Sequence, residues 1–513
     1  MAESEHNING ANTLLSYLEI DVHVWKGTST GVRISTEQAQ NTPITLEVIR
    51  ERLGNMEDAE IIEHQTPNVT TIILVYIRTL IDNARLNESV IQPLLSCGNE
   101  NHFECISVSK ITEILTVEDA EKQLMLGSIL IFDTDENQWC SVDLKDPSGR
   151  GIETSETETI LYGAKDSFTE NIEQNIALIR RRLPITALKT EKFTVGSLTE
   201  TNVVLMYIEG LTNTKFITIA REKIKNVNYD QILDSSQLAA FMEDHTHTVF
   251  PQFQQTDRPD VCAYSLGVGK LIILVDNTPF ALNAPINFFH LFQSPEDYIN
   301  RWVVASFLRI IRYLSFMLSL LMVPLYVALT THHYQMIPLQ ILFVLVDTRS
   351  QLPLSPFWES LIMLVTIEII KEASLRMPTK SGQTLGVIGG IVVGQAAVEA
   401  GFASQVLIVL VGISAIASFL VPNYLMSKAN TLIQFILLIL ASYLGVMGIF
   451  MGILLLFVHM NALTSLKQPY LVPVAPFYGK DWLDLFIRGP LQWMKTRPEA
   501  LHPLQKWRYS RRR

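Results

Sequence analysis

The chain is poor in the features that mark an enzyme or a disulfide-built fold. Only four cysteines occur in 513 residues, Cys97, Cys105, Cys140 and Cys262. None has partners at zinc-binding spacing, so no cysteine metal centre is expected and four free thiols in a reducing compartment are. There is no phosphate-cradling glycine loop, no HExxH helix and no nucleophile elbow. The expectation is a protein with no catalytic residues, no cofactor and no metal, and thus no enzyme. The first fifteen residues, MAESEHNINGANTLL, carry neither a basic stretch nor an apolar run. No signal peptide is read there, and the first 300 residues are expected to stay in the cytosol. Positive charge is scarce in that part, with 22 Lys and Arg against 43 Asp and Glu. Nucleic acid is a poor partner for such a surface, because binding phosphates requires the opposite sign. His245 and His247 beside Glu243 and Asp244 come nearest to a ligand cluster. Residues two apart diverge on a helix, however, so a solvated or partner-facing edge is expected.

After residue 300 the balance reverses to 18 basic against 8 acidic side chains, and long apolar runs begin. The fold class this implies is an α/β N-terminal soluble region of two related subdomains, followed by an α-helical multipass membrane domain. The expected limits are a polar arm at 1–45, a first α/β subdomain at 46–150 and a second at 160–300. A membrane domain at 301–465 and a basic cytosolic tail at 466–513 complete the division. The relation between the subdomains is an internal echo. Val48–Leu53 and the apolar run ending at Ile77 recur as Leu178–Leu183 and Thr201–Ile208, at offsets of 130 and 131 residues. Each copy reads as an amphipathic helix, a turn and a buried strand. The second helix is expected to start at Ser167, whose SFTE sequence fits a capping box. Arg180, Arg181 and Arg182 suit the negative end of that helix, or alternatively an anionic lipid or partner. Further on, Tyr229–Phe250 reads as helix and Phe280–Phe289 as strand.

The stretch Arg376–Pro422 organises the apolar part. It holds two segments, Leu385–Ala400 and Val406–Val421, and Gly386, Gly390 and Gly394 recur every four residues on the first. That spacing puts three glycines on one helical face, where a neighbouring helix, including one from a second copy, can approach at backbone distance. Trp302–Thr330 enters the bilayer, with Arg309 and Arg312 snorkelling to the interface. Residues 338–375 read either as a discontinuous span lining a cavity or as an interfacial helix followed by an ordinary span. Glu368 lies there on one face with Lys371 and Glu372. Gln395 and Glu399 lie one turn apart on the glycine-rich helix. Glu368, Gln395 and Glu399 are the candidate pore- or cavity-lining polar residues, Glu399 being equally readable as a helix-end residue at the interface. Thr431–Val458 reads as the last span, with Gly445, Gly448 and Gly452 forming a second small-residue face. Residues 466–513 hold ten Lys or Arg against three acids, which places the tail beside the N-terminal domain in the cytosol and requires an even number of crossings. Four crossings and six both remain open.

Several phrases fall in register with a known family: Arg258-Pro-Asp260, Leu274-Val-Asp276, Thr278-Pro-Phe280, Gln293-Ser-Pro-Glu-Asp-Tyr298, Arg376-Met-Pro378 and Gly394-Gln-Ala-Ala-Val-Glu-Ala-Gly401. The chain resembles the A subunits of the GerA-type spore germinant receptors and their accessory paralogues, from about residue 45 onward. The resemblance implies a multipass protein of the bacterial cell membrane, the inner membrane of the spore, with both termini cytosolic. It implies work beside a transporter-like B subunit and a lipoprotein C subunit, self-association in the lipid bilayer, and a proposed ligand-gated cation pore. A secondary transporter, or an accessory paralogue that amplifies germination signalling, are the alternatives.

Overall fold

The computed structural model describes residues 44–65, 71–96, 102–107, 111–134, 136–145, 158, 162–350, 352–376 and 394–508. The N-terminal arm up to residue 43, with its expected strand at Leu18–Trp25, lies outside them. So do Gly386 and Gly390, most of the Asp146–Thr159 boundary, and the terminal arginines.

The head consists of two units built alike. The first runs α1 (Leu46–Arg52), β1 (Ala59–Gln65), β2 (Thr71–Ile77), β3 (Ile111–Glu113), α2 (Val117–Leu126), β4 (Ser128–Asp133) and β5 (Gln138–Asp143). The second runs α3 (Ile172–Arg182), β6 (Leu188–Val195), β7 (Thr201–Ile208), α4 (Thr214–Lys225), α5 (Ser235–Met242), β8 (Gln254–Thr256), α6 (Pro259–Val268), β9 (Leu271–Val275) and β10 (Ala281–Ala284). The sheets are ordered β1-β2-β4-β5-β3 and β6-β7-β9-β10-β8, the same path traced twice, with antiparallel pairing throughout. The central strands are apolar at nearly every position because both faces are covered. On β7, Val204 and Met206 pack toward Ile176 and Ile179 of α3, whereas Val203 and Leu205 pack toward Phe216 and Ala220 of α4. The first sheet repeats the arrangement, with Val75 against α1 and α2 and Leu74 against the helical stretch 83–96. Gly127 and Gly269 end α2 and α6 at φ 90° and 101°, turning each chain into the next strand through a conformation other residues rarely adopt.

The units meet through backbone and a buried ion pair. Thr190 N donates to Asn55 O at 3.1 Å and Glu57 N to Thr190 O at 3.2 Å. Beneath that bridge, Arg180 of α3 donates twice to Asp58 at 2.6 Å, and Thr79 and Thr190 donate to the same carboxylate. Arg180 is therefore neither solvated nor facing lipid. Burial alone would raise the Asp58 carboxyl, but the Arg180 charge and these hydrogen bonds outweigh it and hold the group below its ordinary value.

Several expected elements are trimmed. The helix read from Ser167 starts at Ile172, because the Asn171 side chain accepts from Glu173 N and Gln174 N at 2.9 and 3.2 Å and supplies the cap. Within Tyr229–Phe250 only α5 is regular, and the strand read at Phe280–Phe289 is the four residues of β10. The expectation of four free thiols is also corrected. Cys140 and Cys262 are free and buried, whereas Cys105 is disulfide-bonded.

The helical body follows as α7 (Trp302–Thr331), α8 (Leu339–Arg349), α9 (Pro356–Leu375), α10 (Gly394–Glu399), α11 (Gln405–Phe419), α12 (Tyr424–Leu444) and α13 (Val446–Ala462). Among the described residues α7 and α12 are long and apolar enough to cross a membrane, and α11 and α13 are shorter apolar helices. The single span expected over Thr431–Val458 is two helices. At Gly445 (φ 62°, ψ −142°) the chain reverses, and α13 packs back along α12. A Cβ on Gly448 would lie 2.1 Å from Leu440 O, and one on Gly452 would lie 2.4 Å from Leu437 Cδ2. Two of the glycines read as a face for a neighbour thus serve contact within the chain, and the third makes the turn.

Beyond α13 the tail folds back onto the second unit. Ser465 Oγ donates to Gln252 O and Tyr470 Oη to Pro251 O, both at 2.7 Å. Leu504 N reaches Leu211 O at 2.9 Å, and Leu466 and Leu501 join the core above β7 and β9. Asp244, which the sequence places with two histidines at an edge, has a buried side chain that accepts from Thr464 Oγ1 and Lys467 N.

Candidate functional site

The concentration of buried charge lies where the head meets α7. Arg309 and Arg312 stand three residues apart and so share one face of that helix. Asp297, in the short turn Glu296–Ile299, receives Arg309 Nε at 3.0 Å and an Arg312 terminal nitrogen at 2.8 Å. Asp484 of the tail receives a second Arg309 nitrogen at 2.8 Å and the Tyr298 hydroxyl at 2.8 Å. Asp297 and Arg309 are 1% and 0% exposed, so neither charge is solvated by water. The expected snorkelling of the two arginines is therefore corrected: they turn inward to carboxylates instead of outward to the interface. Each charge would be costly to bury alone, and the group persists only as a set. Around it Ser306 Oγ, on α7, donates to Arg488 O at 3.0 Å and accepts from Arg488 N at 3.1 Å. Tyr313 rings lie 4.6 Å from Phe292 and 5.1 Å from Phe486. Three separate parts of the chain (the end of the head, the start of α7 and the tail) are pinned at one place.

Two groups on the head side of this knot are held away from their ordinary charge states. Burial pushes the Lys270 amine down to about 7, only partly opposed by Asp484. Burial also pushes the His290 imidazole well below its ordinary value, with Lys270 and Arg309 adding to the effect.

The residues singled out from sequence fall elsewhere. Glu368 of α9 pairs with Lys371 at 2.8 Å and with Lys428 of α12 at 2.9 Å, and Lys428 also reaches Glu372. Gln395 Nε2 donates to Glu399 Oε1 at 2.9 Å on the exposed side of α10. No hydrogen bond or ion pair among the described residues joins that pair to Glu368. Gly394 opens α10, where a Cβ would make an ordinary 3.7 Å contact with Ile408. Gly386 and Gly390 lie outside the described residues. Two polar features of the body were not singled out. Glu359 is buried and accepts at 2.6 Å from the backbone N–H of Ser404, whose own side chain caps α11, with Arg349 3.9 Å away. A seam also joins Asn430 to Ser319 and Gln434 to Ser414 between α7, α11 and α12. Its signal was available, since Asn430 and Gln434 sit one turn apart in an apolar helix.

The structure is thus a sheet-built head clamped by buried charges to a helical body that holds two apolar helices of bilayer length. The family model described as GerA, Bacillus/Clostridium GerA spore germination protein, matches residues 47–500, and the chain belongs to that family. Spore germination protein GerQA of Bacillus cereus is 36% identical over 449 residues, covering 86% of this chain and 90% of that protein. Spore germination protein KA of Bacillus subtilis (strain 168) is 36% identical over 448 residues, covering 86% and 82%. The uncharacterized membrane protein YfkQ of the same strain is 33% identical over 432 residues, covering 83% and 84%. Among solved structures, the N-terminal domain of the A subunit of the Bacillus megaterium spore germinant receptor GerK3 is 31% identical. It covers 47% of this chain and 94% of that one, with a TM-score of 0.38. The matched family is one of germination proteins and not of enzymes.

Proposed function

We propose that this chain is the membrane subunit of a spore nutrient-germinant receptor, converting an event at a partner into a change in its own helical body. It crosses the inner membrane of the spore several times, with head and tail on the cytosolic side. It works with a transporter-like B subunit and a lipoprotein C subunit, and copies of it associate through the stretch of chain that holds Gly386, Gly390 and Gly394. The assembly forms a ligand-gated cation pore whose polar path includes Glu368, Gln395 and Glu399. The domain limits at 45, 150, 160, 300 and 465 belong to the same reading. What carries it, beside the family, is the knot of Asp297, Asp484, Arg309 and Arg312. It makes the head and the first long helix one mechanical piece, so that two states of the body can be coupled to two states of whatever grips the head.

Cation flux from liposomes holding the purified full chain tests the pore. Flux that appears with the chain and is reduced when Glu368 is replaced by Gln supports it. Liposomes that stay tight with and without the partner subunits overturn it. The break between α8 and α9, with the carboxylate of Glu359 buried against the start of α11, favours a secondary transporter as the second reading. Counterflow of a labelled solute by the chain alone would establish that one instead.

A further inference from the structure

Lys270 stands immediately before β9, delivered there by the left-handed turn at Gly269. It is 3% exposed, and its amine makes no hydrogen bond or ion pair with any described residue. The side chain lines a half-open cavity of about 200 Å³ bordered by α6, the segment 290–299 and the tail. The carboxylates on the same wall are already engaged. Asp484 is held by Arg309 and Tyr298, while Asp260 accepts two hydrogen bonds from Arg258, at 3.1 and 2.7 Å, and a third from Val261 N. Lys270 thus has no direct hydrogen-bond or ion-pair partner among the described residues, and the Asp484 charge that acts on it is already shared with Arg309 and Tyr298. Much of the remaining wall is apolar: Val261, Val268, Ile299 and the rings of Tyr264 and Tyr298, whose centroids are 4.7 Å apart. An adjoining cavity of about 250 Å³ shares His290, Gln293 and Asp484 with the first. It is lined by Arg508, whose Nε is buried without a partner.

We propose that this cavity is a binding site for a small apolar carboxylate, its charge on Lys270 and its hydrocarbon body against Val261, Val268, Ile299 and the outer faces of the paired tyrosine rings. The chemistry follows from what is missing and what is present. The missing element is a direct anionic partner for Lys270, and the surrounding surface suits carbon better than a second polar group. Because the walls come from the head, the turn before α7 and the tail together, an occupant adds contacts among all three. The site requires neither a pore nor a partner subunit, so it can fail while the receptor reading stands, and the converse also holds.

The test is calorimetric titration of the full chain in nanodiscs with butyrate, with butyramide as the uncharged isostere and inorganic phosphate as the polar anion. Saturable butyrate binding, weakened at least about tenfold in Lys270→Met and absent for butyramide, is the expected result. Equal affinity in Lys270→Met, or butyramide binding as well as butyrate, overturns the assignment of the charge. Phosphate binding as tightly as butyrate overturns the assignment of the apolar body, and no saturable binding overturns the site. Should Lys270→Met fail to fold, modification of the wild-type Lys270 amine by an amine reagent supplies the same answer. Butyrate should slow that modification several-fold, and a rate unaffected by butyrate sinks the proposal.

Discussion

Asp297 is the residue on which most of the knot depends, because it is shared by Arg309 and Arg312. Replacing it with Ala leaves two buried guanidiniums facing each other across a gap, and loss of one partner from a buried pair costs about 3–5 kcal/mol. Thermal unfolding of the purified Asp297→Ala chain should show a loss of that order. An unchanged midpoint would mean the arginines find other partners. Asp58 makes a pH prediction. Its folded-state value lies below the ordinary carboxyl value of about 3.9. The stability it contributes is therefore complete above that value and is lost as pH falls through the lower, folded-state one. Chemical unfolding of the wild type should weaken as pH drops below about 4, whereas Asp58→Asn should start weaker and lose less over the same range. Parallel profiles would remove Asp58 from the account. Neither carboxylate could be assigned its partner from sequence alone. Asp58 and Arg180 are 122 positions apart, and Arg309 and Asp484 are 175 apart. Periodicity reports on neighbours along the chain and is silent on such pairs.

At the scale of elements, the sequence was informative wherever one face or both faces of an element are buried. The β2 and β7 strands stand where their apolar content places them, α3 keeps its apolar face from Ile172 onward, and the repeated helix-and-strand pattern corresponds to two sheets of identical strand order. The hairpin of α12 and α13 was not legible. An apolar run with three glycines has the same hydropathy whether it continues or reverses, and the positive φ of Gly445 leaves no trace in composition. The two readings differ by a measurable distance. In one continuous helix residues 437 and 452 would stand roughly 22 Å apart, at 1.5 Å per residue. In the hairpin they touch. Paired cysteines at Leu437 and Gly452 should therefore form an intrachain disulfide under mild oxidation. Failure to crosslink in the folded chain would restore the single span. By the same geometry Gly448→Val should destabilise the body by several kcal/mol, since its Cβ meets a backbone carbonyl that cannot move aside.

For the whole molecule, the tail is the part whose role changed most between sequence and structure. Its basic residues suggested only a side of the membrane, yet Leu466 and Leu501 complete the core of the second unit. Removing residues 466–513 should raise amide exchange in β7 and β9 by orders of magnitude while leaving β2 and β4 unaffected. Equal protection in the truncated chain would make the tail a passenger.

The duplicated unit, finally, is not used symmetrically. The hydrogen bonds and ion pairs described above that reach α7 and the tail start from the second unit, while the first is joined to it by the Asp58–Arg180 pair, the backbone bridge at Thr190, and the Lys189–Arg52 and Arg78–Glu173 contacts. Evolution by copying has here yielded a fulcrum and an arm: one copy grips both ends of the helical loop, and the other is left as the handle on which an outside force would gain most leverage.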